Sequence, residues 1–300
     1  MTVSVGVIGL GPMGLSLAQR LQETGFDVVA TSRREQTRRE ARAQGVRTAE
    51  SPAEVSRWLR ERGGKSVLLT SLPGGPVVRQ ALLGEHGAIT DGDHFVVVDT
   101  STCAPADSRA LAAELRARGC PAVDAPVSGG PTAARAGTLS VMAGGDAEDL
   151  SAAEEVLQAV AARLVVCGGP GAGQVAKACN QLVVTANIAV VAEALVTAKA
   201  LGADPAAVRE ALLGGYAASR ILELHGERML NRDFSLGAAA RTQFKDIGII
   251  RELTDGVADN QVFEAAARIM QELVESGGSE LDHSAAVQVV ERRTGVSLAD

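Results

Sequence analysis

The hydrophobic pattern of the chain changes character at its middle. Through the first half, short apolar, β-branched runs alternate with stretches of helical periodicity. VSVGVIGL (3–10), DVVATS (27–32), SVLLTSLP (66–73) and HFVVVDTS (94–101) predict strands, and PAVDAPVSGG (121–130), TLSVMAGG (138–145) and LVVCGG (164–169) add three more. The runs are continuously apolar, the pattern of strands covered on both faces. With helices between them, the first from about Met13, they predict an α/β domain built on a mostly parallel, doubly wound sheet. Past Gly173 the pattern changes. Residues 174–201 contain neither Gly nor Pro and predict one long helix, which GADP (202–205) ends, with Pro205 in the first turn of the next. From there to the end the pattern is all helical. The boundary is expected in the Gly-rich turn at 168–173, giving domains 1–170 and 171–300 joined by the long helix.

Composition narrows the function classes. The chain is 46% hydrophobic and 22% charged, enough to bury a full core. Aromatics are only 2%, so the core must rest on Ala, Val and Leu, and a base-stacking platform is not expected. A net charge of −7 argues against a nucleic-acid partner. The most apolar run, 182–198, contains Asn187 and Glu193, so a buried helix is expected rather than a membrane partner. Cys103, Cys120, Cys167 and Cys179 form no CxxC pair and fit no zinc spacing, so free thiols and no metal are expected. The opening residues MTVSVGVIGLG have no basic stretch or cleavage site, and a cytoplasmic location is expected.

The first strand runs directly into Gly9-Leu10-Gly11-Pro12-Met13-Gly14, a G-x-G-x-x-G between strand and helix. The first glycine permits the tight turn, the second lets the backbone approach a pyrophosphate, and the third allows close helix–strand packing. The helix N-terminus adds unpaired N–H groups and a positive dipole end. The second strand ends in Thr31-Ser32-Arg33-Arg34, without the acidic residue that binds a ribose 2′-hydroxyl. Ser32 and Arg33 can instead hold a 2′-phosphate, which favours NADP and leaves NAD possible. The plain alternative is a solvated basic helix start.

Three further stretches carry candidate chemistry. Asp124-Ala125-Pro126-Val127-Ser128-Gly129-Gly130 sets exposed amides beside a hydroxyl, a concavity that can receive a carboxylate or simply ends a strand. Lys177 and Asn180, in GGPGAGQVAKACNQ (168–181), share one helix face. Taken alone, the lysine is better explained by a surface position; desolvated in a cleft, its pKa would fall towards the range useful for proton transfer. Lys245-Asp246, in QFKDIGIIRELT, is by itself a solvated charge pair.

Together these motifs resemble the β-hydroxyacid dehydrogenases, the group of 3-hydroxyisobutyrate dehydrogenase and tartronate semialdehyde reductase. The resemblance runs in order through GLGPMG, SLP (71–73), DTST (99–102), DAPVSGG (124–130), GAGQVAKACNQ (171–181), KDIG (245–248) and LDHSAA (281–286). It implies a Rossmann-like domain, a long interdomain helix and an all-helical C-terminal domain through which oligomers, dimers or tetramers, form. It implies hydride transfer between a nicotinamide and a small carboxylate-bearing β-hydroxy acid, semialdehyde or keto acid, with Lys177 as catalytic acid–base. Ser128, Gly129 and Gly130 would hold the substrate carboxylate, Asn180 would orient substrate, and Lys245 would lie near substrate and cofactor. Leu72, Pro73 and Thr102 would contact the cofactor. Where NADP-using relatives often have Asn-Arg-Thr, this chain has Ser32-Arg33-Arg34, which keeps the arginine. SLGAAARTQF, before Lys245, is poor in large side chains and suggests a roomier pocket. Two alternatives are an imine reductase-like NADPH enzyme, whose members generally lack this lysine and DAPVSGG, and a non-catalytic nucleotide-binding or interaction protein. His283 is expected to shape a helix start, Cys179 to pack on its helix, and Asp124 to support its turn.

Overall fold

The computed structural model describes residues 3–90 and 93–299. The chain divides into two compact units, Met1–Lys177 and Ala178–Asp300. The first contains β1 (Ser4–Ile8), α1 (Pro12–Glu23), β2 (Asp27–Thr31), α2 (Glu35–Ala43), α3 (Pro52–Arg62), β3 (Ser66–Thr70), α4 (Gly75–Leu83), β4 (Val96–Asp99) and α5 (Pro105–Ala117). It continues with β5 (Ala122–Asp124), β6 (Val127–Ser128), α6 (Gly130–Ala136), β7 (Leu139–Gly144), α7 (Ala147–Val160) and β8 (Ala161–Gly168). Helix α8 (Ala172–Ala200) runs through the point of division. The second unit adds α9 (Pro205–Leu213), α10 (Arg220–Leu230), α11 (Ala240–Thr254), α12 (Gln261–Leu273) and α13 (Ala286–Thr294), with a wide turn at Val274–Gly278 and a tight one at His283–Ala285.

β2, β1, β3, β4 and β5 lie side by side and parallel in that order. The side-chain period of two divides each apolar run between two faces. Val5, Val7, Val67, Leu69 and Val98 pack with Leu17 and Leu21 of α1 and Val156 and Leu157 of α7. Their neighbours Ile8, Leu68 and Val97 pack on the other face with Leu59 of α3, Leu82 of α4 and Leu115 of α5. This is the doubly wound sheet that the uninterrupted apolar runs predict.

The predicted strand 121–130 is interrupted at Ala125-Pro126, where proline has no N–H for a ladder. Asp124 opposes Gly144, Val127 opposes Val141 and Ser128 opposes Ser140, so β5 and β6 share one antiparallel register against β7. β8 follows α7 without a loop, pairs in parallel with β7 and leaves Val166 59% exposed. Trp58 of α3 stacks between Arg47 and Arg62, whose guanidinium carbons lie 5.5 and 4.7 Å from the ring centroid.

The second unit has its own core. Ile188, Ala192 and Leu195 of α8 pack with Ile247 and Ile250 of α11, Phe263 and Met270 of α12, and Val287 and Val289 of α13. Asp204 caps α9 at the Ala206 amide and Ser219 caps α10 at the Leu222 amide. By length and composition α8 could cross a bilayer, yet its interior face carries the hydrogen-bonded side chains Gln174, Gln181 and Thr185.

Candidate functional site

Within the first unit, the expected cofactor residues gather at the carboxyl ends of β1 to β4, where chain order reverses between β1 and β3. This is where open α/β sheets bind ligands. Gly9 takes φ +108°, and its amide donates to Thr31 O at 2.9 Å. A Cβ on Gly9 would overlap Ser71 O, and one on Gly14 would overlap Gly9 O. The same atom on Gly11 would meet open space, and Gly11 is the N-cap of α1 without a side-chain cap or an acidic first turn. The helix N-terminus is thus left open at Gly11, and the glycine turn fits a dinucleotide pyrophosphate. Leu10 is buried, Met13 packs against the sheet core, and Pro12 occupies the first helical position.

Ser32 and Arg33 follow β2, and Arg33 is exposed. Leu72 and Pro73 follow β3 and Thr102 follows β4. The Leu72 amide donates to Ser101 Oγ at 2.9 Å, joining the two loops. Behind them lies buried Asp99, whose Oδ1 accepts from Thr70 Oγ1 at 2.8 Å and the Ser101 amide at 3.0 Å. Burial pushes the Asp99 carboxyl above the usual carboxylate range.

Helix α8 is pinned to these strand ends. Gly171, at its start, has no side chain with which to cap, and Asp124 of β5 does so from a distant part of the chain. Asp124 Oδ1 accepts from the Gly171 amide at 2.7 Å and Oδ2 from the Gln174 amide at 2.9 Å. Burial raises the Asp124 pKa, and those two amides oppose the rise. Gln174 Nε2 donates to Ser101 O at 2.8 Å and its Oε1 accepts from the Cys103 amide at 3.0 Å. Gly173 permits this approach, since a Cβ there would overlap Met142 O.

One turn on, Lys177 is 7% exposed, not the surface lysine of the plain reading. Gln174, Lys177, Gln181 and Thr185 form a buried polar stripe at helical spacing. Ser128 and Gly129 end β6 and open α6 at the surface, with Gly129 at φ +136°. In the second unit, Asn180 Nδ2 donates to Gln181 Oε1 at 2.8 Å. Gln181 Nε2 donates to Asp246 Oδ2 at 2.6 Å and Gln243 Oε1 at 3.1 Å. Lys245 Nζ lies 3.0 Å from Asp246 Oδ1. This pair is not merely solvated, because Asp246 is buried.

Cys179 is exposed rather than packed. The small side chains before Lys245 have a packing origin. Ala239 bridges Asp282, and the Ala240 amide donates to Leu281 O at 2.8 Å, a close backbone approach. Gln174, Gln181 and Gln243 were not singled out in the sequence. Gln174 and Gln181 carry one signal, a glutamine three or four residues from a lysine in an otherwise apolar stretch; Gln243, two residues before Lys245, carries none.

The fold and the motifs match known proteins along almost the whole chain. Residues 4–169 match the model of the NAD binding domain of 6-phosphogluconate dehydrogenase. Residues 171–290 match that described as NAD-binding of NADP-dependent 3-hydroxyisobutyrate dehydrogenase. The chain is 35% identical to 2-hydroxy-3-oxopropionate reductase of Escherichia coli (strain K12), covering 99% of this chain and 100% of that one. It is 30% identical to 2-(hydroxymethyl)glutarate dehydrogenase of Eubacterium barkeri, covering 99% and 98%. Among solved structures, Mycobacterium tuberculosis 3-hydroxyisobutyrate dehydrogenase with L-serine superposes at a TM-score of 0.83 and 29% identity, over 97% of this chain and 99% of that one.

Proposed function

The chain belongs to the β-hydroxyacid dehydrogenase family, and on that premise we propose that it is an NADP(H)-dependent oxidoreductase using Lys177 as general acid–base. It interconverts a β-hydroxy acid with its semialdehyde or keto acid. The observation that carries this reading is the burial of Lys177 one turn from a helix start pinned by Asp124 and Gln174. Such a lysine is oriented by backbone and not only by its own flexible stem.

In the direction of reduction the Lys177 ammonium gives a proton to the carbonyl oxygen; in oxidation its amine removes the hydroxyl proton. A nicotinamide cofactor held at the glycine turn would supply or accept the hydride. Ser128 and the amides of Gly129 and Gly130 hold the substrate carboxylate. Asn180 and Lys245 orient the substrate, and Asp246 and Gln181 fix the helix turn from which Lys245 extends. Gly9, Leu10, Gly11, Pro12, Met13 and Gly14 receive the pyrophosphate. Leu72, Pro73 and Thr102 would contact the cofactor, and Ser32 and Arg33 would take the 2′-phosphate. Homo-oligomers form through the helical unit.

NADPH oxidation against semialdehydes of increasing chain length tests this reading. Wild type should turn over at least one of them. Lys177→Ala should bind NADPH normally and lose turnover by about a hundredfold or more, together with the lysine's inflection in the pH–rate profile. Unchanged turnover in that variant would exclude Lys177 as the acid–base.

A further inference from the structure

Arg38 lies on α2, six residues beyond the end of the second strand's turn at Ser32, and is 8% exposed although its neighbours Arg39 and Arg42 face solvent. Its guanidinium reaches back under the turn. Nη1 donates to Ser32 O at 2.6 Å and to Arg33 O at 3.3 Å. Nη2 meets Glu35 Oε2 and, at 2.7 Å, Glu50 Oε2. The two carboxylates compensate its charge locally, so Arg38 is no free cation for a ligand. What it controls is the direction of two peptide planes.

Across a trans peptide the C=O and the following N–H point in opposite directions, and no described peptide bond is cis. Turning the Ser32 and Arg33 carbonyls inward therefore turns the Arg33 and Arg34 amides outward. Two successive amides facing the same way form a concavity for an anion. The exposed Arg33 side chain and the Ser32 hydroxyl stand at the same turn. Neither amide donates a hydrogen bond to another described residue.

We propose that Arg38 is a positioning residue for cofactor choice: it holds the Ser32–Arg33–Arg34 turn with its backbone amides presented to the 2′-phosphate of NADP. This deepens the NADP reading above and rests on it. An NADP site made only of the Arg33 side chain would tolerate a loose turn. One made of amides would not, because each amide must be aimed by the carbonyl behind it.

Equilibrium dissociation constants for NADPH and NADH, measured on the full chain, separate the possibilities. Wild type should bind NADPH at least about tenfold more tightly than NADH, the minimum that one charge-assisted hydrogen bond to the phosphate supplies. Arg38→Met, which keeps the buried stem without the donors, should weaken NADPH by about tenfold and leave NADH within about twofold. Arg38→Lys, with a single donor head able to reach one carbonyl, should fall between and serves if the methionine variant is unstable. A NADPH/NADH ratio unchanged in both variants, or an equal loss for both cofactors, overturns the role of Arg38. A wild-type protein that does not discriminate overturns the NADP reading itself, and does so before any variant is made.

Discussion

Buried ionisable side chains decide what single residues contribute here. Lys177 illustrates how little one residue discloses in isolation: its sequence neighbours allow a surface position, and only the glycines at 171 and 173 hint at a close backbone approach. Arg38 gives little hint: Glu35, three residues before it, marks an ordinary helix-surface ion pair, and the two carbonyls it holds are groups that every sequence position possesses. His283 was legible as a helix-start residue and does open a helical turn, with Asp282 Oδ1 accepting from the Ser284 amide at 3.0 Å. Its surroundings were not legible. His283 Nε2 lies 3.3 Å from His225 Nε2, His225 Nδ1 lies 3.5 Å from Asp282 Oδ1, and Arg228 Nη1 lies 3.7 Å from Asp282 Oδ2. Burial, reinforced by His225, pushes the His283 imidazole down to about 4. Unfolded, it returns to about 6.5, so between these values the unfolded chain binds more protons and acid favours it. The stability associated with neutral His283 is complete above about pH 6.5 and is lost as pH falls towards 4. Urea unfolding of the helical unit should weaken over that window by up to about 3 kcal/mol. His283→Gln should flatten the dependence; a variant as acid-sensitive as wild type would remove His283 as the cause.

At the level of elements, Asp124 and α8 form the most consequential joint. The long helix was predicted at 174–201 and spans Ala172–Ala200, since an apolar run free of Gly and Pro has few other solutions. The device that starts it was only half legible. Asp124 was expected to support its own turn, but it caps a helix 47 residues away in sequence. No local pattern encodes a cap supplied across the sheet. Replacing Asp124 by Ala leaves two buried amides without acceptors, at a cost of about 2–4 kcal/mol. Thermal unfolding of Asp124→Ala should register that loss, and kcat should fall more than NADPH affinity because the turn carrying Lys177 frays first. A variant as stable as wild type would show that water replaces the cap. The broken strand β5–β6 and the edge position of β8 were likewise hidden, because both depend on which strand becomes the neighbour.

Over the whole molecule, the change from strand-bearing to purely helical pattern announced an α/β portion followed by a helical one, and the structure has both. The pattern could not show which apolar residues stay uncovered. Val175, Val183 and Val190 of α8 are 38%, 54% and 55% exposed, and Leu201 is 82% exposed. An exposed apolar stripe along a helix ordinarily has a neighbour. Homo-oligomerisation would cover this stripe. Light scattering on the purified chain should give at least a dimer, and Val183→Asp with Val190→Glu should release monomer; a wild-type monomer at micromolar concentration would refute the interface. The chain's scarcity of rings has a practical side as well. Its single tryptophan, Trp58, is clasped by two arginines on α3 of the sheet-bearing unit, and its single tyrosine, Tyr216, stands fully in solvent on the helical one. Intrinsic fluorescence therefore watches one half of the protein and is nearly blind to the other. A denaturation curve recorded by tryptophan emission alone follows the nucleotide-binding half, and a second optical probe placed among the helices is needed to see the rest.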